Sequence, residues 1–300
     1  MNFTVCDGVH ECTVESRDVI EKHFEELESR FFDYYVVPLD DGEGPFRIVG
    51  VENGPKYMPI PKNHAYKKKY RHVIYVLANS DETFRKATEF YKDAPWARVI
   101  FIPTTYYLES VMYISILPRR KEEWEHADFV GCIAWSAHTK QPNVINAHRI
   151  CDTAEQNGDT VVVFMYRGDP LVDTAEKWHP GFKELWIKCL KTFGWLDEII
   201  LNPRIPSFYC NYWACTPELM EKYCGFALKM VHRIESNDDV SQLIWKDSSY
   251  LQRGTDIAKL NESQCMHIWG VPYYPFHPFL FERLPCIWLA LFSKGISGIR

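Results

Sequence analysis

The sequence predicts an α/β protein built on a mainly parallel mixed sheet flanked by helices, and three observations carry that prediction. From residue 72 onward, apolar runs of strand length alternate with stretches whose apolar residues recur at helical spacing. The run TVVVFM at 160–165 is β-branched through its centre, as suits a strand buried on both faces. Polar residues gather just after the predicted strands, at the sheet end where open α/β sheets bind ligands.

Taken in order, residues 1–71 read as an N-terminal embellishment of a single domain whose main part spans 72–300. The embellishment holds a short strand at 3–6, then a helix over 18–32 with Ile20, Phe24, Leu27 and Phe31 on one face. Gly- and Pro-rich turns at 40–45 and 53–55 bracket a strand at 47–51. The main part opens with the strand HVIYVLA at 72–78. Ser80 caps the next helix, with Asp81 and Glu82 in its first turn and Phe84, Ala87 and Tyr91 on its buried face. A strand at 98–102, a helix over 106–117, a short acidic helix at 122–126 and a strand at 129–135 follow. A helix over 144–155 leads into 160–165, and one over 182–193 precedes a strand-like stretch at 207–214. Thr216-Pro217-Glu218 places an N-cap, a proline and an acid where a helix start favours them, and Leu219, Tyr223, Phe226, Met230 and Ile234 continue one face. Residues 236–265 are weakly patterned, with a short helix at 240–246, and 267–269 looks sheet-like. The chain closes on 272–292, where His277-Pro278 begins an apolar helix interrupted by Glu282 and Arg283. No internal repeat or low-complexity linker divides it.

Composition narrows the function classes. The 300 residues are 46% hydrophobic and 25% charged, ordinary values for a globular chain, whereas 10 Trp, 17 Tyr and 18 Phe make an aromatic-rich one. A formal net charge of −6 argues against a dedicated nucleic-acid binder, whose affinity comes from clustered Lys and Arg. The basic run at 66–72, which includes Lys69, reads either as a solvated strand entry or as a phosphate contact. Ten cysteines without a CxxC pattern look like buried small hydrophobes in a reducing, cytoplasmic compartment. No run approaches the ~18 apolar residues that a membrane helix needs, and no signal sequence opens the chain, so the sequons at Asn2 and Asn261 are expected to carry no glycan.

The candidate chemistry sits at the strand ends. Asn79 follows the first strand, Thr104 the second, Trp135, Ser136 and His138 the third, and Arg167 and Asp169 the fourth; Asn211 and Trp213 lie on the late one. Arg167 beside Gly168 can reach a diphosphate in bidentate fashion, or close the strand with Asp169 as a turn. His138 can act as a base or hydrogen-bond a sugar, or be a satisfied structural histidine. Trp135, Tyr212 and Trp213 can stack on a base or sugar ring, or fill the core. Glu282 can carry catalysis, or complement the helix dipole and pair with an Arg. No Walker A, GxGxxG, GxSxG or HExxH pattern occurs, which lowers P-loop, dinucleotide, α/β-hydrolase and zinc-protease readings. No strict Asp-x-Asp occurs, and the nearest equivalents are 41–43 and 123–125.

Three segments, ADFVGCIAW at 127–135, FYCNYW at 208–213 and HPFLFERL at 277–284, resemble landmarks of nucleotide-sugar glycosyltransferases. The likeness runs in order over roughly 72–292. It points to bacterial capsule and surface-polysaccharide transferases and to those that large algal DNA viruses encode for their capsid glycans. The resemblance implies a single-domain GT-A-like fold and transfer of a sugar from a nucleotide-diphosphate donor, a UDP-sugar foremost, to a glycan or glycoprotein hydroxyl. If the chain is viral, the host cytoplasm is its compartment. Many such enzymes hold the donor diphosphate through Mn or Mg on Asp-x-Asp, a pattern this chain lacks, so no metal ligand is assigned. On this reading Glu282 and then Asp169 are the base candidates. Lys69, Asn79, Thr104, Trp135, Ser136 and Arg167 face the donor, and His138, Asn211, Trp213, His277 and Arg283 the acceptor. A non-catalytic glycan-binding or capsid-associated protein is the alternative, followed by another nucleotide-dependent enzyme using the same cleft.

Overall fold

Strand register explains most of the architecture. In the computed structural model, which describes residues 4–6, 9–14, 33–38, 46–51, 71–102, 107–165, 168–205, 207–208, 210–254 and 260–298, the chain divides into two compact units. One unit collects residues 1–65 with 228–236, and the other 66–227 with 237–300. In the first, β1 (Thr4–Cys6), β2 (Val9–Val14), β3 (Asp33–Pro38) and β4 (Phe46–Val51) form an antiparallel sheet in the order β1-β2-β4-β3. The strand expected at 47–51 is β4. The helix expected over 18–32 lies outside the described residues, as do Lys69 and the basic run up to residue 70.

The second unit is α/β. Its strands are β5 (His72–Ala78), β6 (Ala97–Phe101), β7 (Phe129–Ala134), β8 (Val161–Val163), β9 (Trp213–Cys215) and β10 (Ile296–Gly298), in the order β10-β8-β9-β7-β5-β6. β5 pairs parallel with β6 and β7, and β10 parallel with β8, while β9 runs antiparallel to both β7 and β8. Five strands therefore share one direction and β9 alone is reversed, a mainly parallel mixed sheet compatible with a Rossmann-like fold.

Helices cover both faces, which is why β5 is buried along its whole length. On one face Ile74, Val76, Ile133 and Val162 pack with Ala87 of α1 (Asp81–Phe90), with Tyr91 just after it, and with Cys151 and Ala154 of α2 (Ala147–Gln156). The other face is aromatic: Tyr113 stacks on Trp213 with ring centroids 4.7 Å apart, and Tyr223 of α5 (Pro217–Glu235) meets both edge-on. Between them, α3 (Leu171–Trp178) and α4 (Phe182–Lys191) follow β8. The chain then runs through α6 (Asp238–Ile244), α7 (Glu262–Trp269) and the apolar α8 (His277–Phe292). Gly131 marks where backbones approach most closely, because a Cβ there would collide with the Trp213 carbonyl and the Ala214 backbone on β9.

Local signals placed the helix starts. Ser80 and Thr83 form a reciprocal capping box on α1, and α5 begins at the predicted proline. Asn261, read first as a sequon, is the N-cap of α7, its Oδ1 accepting from the Gln264 N–H at 2.9 Å. The strand expected at 207–214 shrinks to β9, because Cys210 and Asn211 adopt φ of 65° and 55° and leave extended geometry. The sheet-like 267–269 is instead the end of α7, closed by Gly270 at φ 71°. The helix expected over 106–117 is a 3₁₀ turn at Leu108–Ser110, a π-helix at Met112–Ile116 and one α-turn. The helix α3 and the edge strand β10 were not foreseen. Among the described residues the cysteines are free thiols, mostly buried, and no helix is long and apolar enough to cross a membrane.

Candidate functional site

Reversal of β9 decides which residues meet at the sheet end. Trp213 lies opposite Cys132 of β7 and Val163 of β8, so the preceding turn 210–212 sits where those two parallel strands finish. Several elements hold that turn. From α8, Glu282 Oε1 accepts the Cys210 N–H at 2.5 Å. The Asn211 side-chain N–H donates to Ser110 Oγ at 3.1 Å, and the Asn211 carbonyl accepts from Tyr113 Oη and Cys132 Sγ, both at 3.3 Å. Two consecutive non-glycine residues in left-handed geometry are strained by about 1–2 kcal/mol each. Fixed polar partners on three sides offset that strain.

A second strained position faces the first. Leu108, at φ 45°, opens the turn that carries Glu109 and Ser110, and α8 packs on this turn through Tyr107 against Phe281 at 5.1 Å. Burial above all, and then the Glu282 charge, push the half-buried Glu109 carboxyl up, against the pull of its own backbone N–H and of Lys140. The exposed Lys140 reaches to 3.6 Å from Cys210 Sγ and lies over the Tyr212 ring at 5.7 Å. Burial and the Glu282 charge also push the Cys210 thiol up to about 12, so it is no thiolate nucleophile at neutral pH. The site thus holds two carboxylates, an ammonium and an amide. Glu282 Oε2 also meets Arg283 Nη1 at 3.0 Å, and the same nitrogen donates to the Phe279 carbonyl at 2.9 Å.

The other predicted residues distribute differently. Trp135 and His138 face a cleft of about 610 Å³ against α1, with Glu82, Arg85, Lys86, Glu89 and Phe90 as its other walls. There His138 stacks on Phe90 at 3.9 Å and Lys86 lies over Trp135 at 5.8 Å. Ser136 is half-buried at the same strand end, its carbonyl accepting from Thr139. Exposed Asn79 accepts from the Thr83 hydroxyl at 3.4 Å beside the start of α1. Asp169 stands exposed ahead of α3. Thr104 and Arg167 lie outside the described residues.

Four residues assigned to the acceptor, Asn211, Trp213, His277 and Arg283, are instead buried, with Asn211 3% exposed. Trp213 has no exposed surface between Tyr113 and Tyr223; His277 is enclosed by Tyr107, Trp245 and Phe281; Arg283 lies under Phe182 and Phe279. None presents a face on which a sugar could stack. Glu109 and Lys140 are what the sequence reasoning missed. A lone acid inside the apolar run YYLESVMYISI was the available signal for Glu109, since an unpaired carboxylate rarely sits in such a stretch. Nothing local marked Cys210. Among the described residues no group of three or more His, Cys, Asp or Glu side chains is placed to hold a metal ion.

Comparison of the chain with protein-family models, with curated proteins and with solved structures returns no match.

Proposed function

We propose that this protein is a glycosyltransferase that moves a sugar from a nucleotide-diphosphate donor, a UDP-sugar foremost, to a hydroxyl of a surface or capsid glycan. The observation that carries the reading is the pair of half-buried carboxylates, Glu109 and Glu282, held beside exposed Lys140 at the carboxyl end of the parallel strands. Direct displacement needs that combination: a carboxylate to take the acceptor proton and a cation for the departing diphosphate. The GT-A-like reading of the sheet comes from the resemblance of the three landmark segments, which contribute β7, the 210–212 turn and the start of α8. Trp135 in its open cleft supplies an aromatic face for a base or a sugar ring.

A panel of UDP-glucose, UDP-galactose, UDP-N-acetylglucosamine and GDP-mannose, each with and without manganese, tests the reading. At least one is expected to raise Tm and to release nucleoside diphosphate in the presence of the purified protein. A flat response across the panel would count against transfer. Oligosaccharide binding combined with that flat response would favour the second reading, a non-catalytic glycan-binding protein, which the exposed aromatic cleft also suits.

A further inference from the structure

The cleft against α1 has room for a ligand, and its walls are specific enough to say which kind. Its volume of about 610 Å³ falls within the range of small-ligand sites, and two aromatic surfaces line it. One is half-buried Trp135, whose backbone N–H donates to the Leu77 carbonyl at 2.9 Å, so the residue is anchored to β5. The other is Phe90, which keeps 43% of its surface exposed and stacks on His138 at 3.9 Å. Buried Tyr91 meets both of those rings edge-on, at 4.9 and 6.3 Å, and braces the pair against the core.

Charge sets the ligand's character. Glu82, Arg85, Lys86 and Glu89 follow one another at i, i+3, i+4 and i+7, on one exposed face of α1. Two carboxylates against a guanidinium and an ammonium leave these walls without formal net charge. A nucleotide diphosphate is multiply negative and calls for an excess of cations instead. Donors and acceptors mixed around an aromatic face suit a polyol: the C–H faces of a sugar lie on the rings, while its hydroxyls donate to the carboxylates and accept from the cations. Lys86 lies over Trp135 at 5.8 Å and pairs with Glu82, but both contacts are exposed and weak, so it can swing aside for a ligand at little cost.

We propose that this cleft binds an uncharged glycan, in a site of its own beside the carboxylate cluster. Calling that glycan the acceptor rests on the transferase reading above; the binding does not. One short helical turn, Ala137–Lys140, serves both regions. It puts His138 in the cleft wall and brings Lys140 to 3.6 Å from Cys210 Sγ. A chain seated on Trp135 is thereby held next to the cluster.

Calorimetry on the full chain tests this with cellotetraose, xylotetraose and mannotetraose as neutral probes, and with tetragalacturonate and UDP as charged ones. At least one neutral tetrasaccharide should bind, with a Kd that changes by less than about twofold between low and high salt. Trp135→Ala should weaken that binding by ~10-fold or more. Because Trp135 also touches the core, Arg85→Ala and Glu89→Ala are paired with it; both residues are exposed, and each change should weaken binding by ~3-fold or more with Tm unmoved. No neutral tetrasaccharide bound, or binding that the three variants retain, overturns the proposal. So does Trp135-dependent binding of tetragalacturonate or UDP alone. Tetrasaccharide binding in a wild type that turns over no sugar nucleotide upholds the cleft and removes the transferase reading, whereas nucleotide turnover without tetrasaccharide binding does the reverse.

Discussion

The cleft against α1 and the cluster beneath α8 are two strand-end regions built on opposite principles. The cleft is open, has a volume of about 610 Å³, and is walled by one face of α1, by Trp135 after β7 and by His138 on the short helical turn that follows. Lys86 and Glu82 in its wall form an exposed ion pair at 2.5 Å, which contributes little to stability. The cluster is tight, drawn from four separated stretches of chain, and keeps two carboxylates and two left-handed residues in place through hydrogen bonds. Size marks where a molecule has room to lie, whereas maintained strain and half-buried charge mark where chemistry has been arranged.

Substitutions should separate the two regions by magnitude. Glu282→Ala should be the most damaging, because it removes the carboxylate that the Cys210 N–H and the buried Arg283 share. A loss of about 3 kcal/mol is expected in urea unfolding, and a loss below ~1 kcal/mol would mean that the turn does not depend on this carboxylate. Asn211→Ala comes next, at about 2 kcal/mol, from removal of the Ser110 hydrogen bond and from placing alanine at φ 55°. Asn211→Gly is a useful partner for it, since glycine keeps the backbone conformation and should recover roughly half of that loss. On the cleft side, Lys86→Ala removes only an exposed ion pair and a cation–π contact, and its unfolding midpoint should correspond to less than ~0.5 kcal/mol. A cleft variant as costly as the cluster variants would erase the distinction.

Acid sensitivity separates the carboxylates further, and the sign follows from the direction of the shift. A carboxyl whose folded pKa is raised favours the protonated folded state, so it destabilises the fold increasingly as pH rises above the unfolded value of about 4.3. Glu109→Gln should therefore gain stability over wild type at pH 7 and lose that gain as pH falls below about 4. Paired thermal melts at the two pH values would show this crossing. An advantage equal at both would place the effect in packing rather than ionisation.

The sequence by itself determined what depends on neighbours along the chain. The Ser80 cap, the Thr216-Pro217 start of α5, the His277-Pro278 start of α8 and the buried runs of β5, β7 and β8 all follow from local propensity and hydrophobic period. The mainly parallel sheet followed from their alternation. What only the tertiary structure decided depends on partners far away in sequence. Trp213 could be a stacking ring or core on sequence alone, and β9 puts it in the core between Tyr113 and Tyr223. Cys210 and Asn211 read as strand, but their hydrogen bonds to residues 72 and 101 positions away hold them in a left-handed turn instead. Glu109 gained its proximity to Glu282 through the packing of α8, which no local pattern around residue 109 encodes. Local sterics and hydrophobic spacing act within a few residues, whereas desolvation and charge proximity act through space, so the elements were legible in the sequence and the site was assembled by the fold.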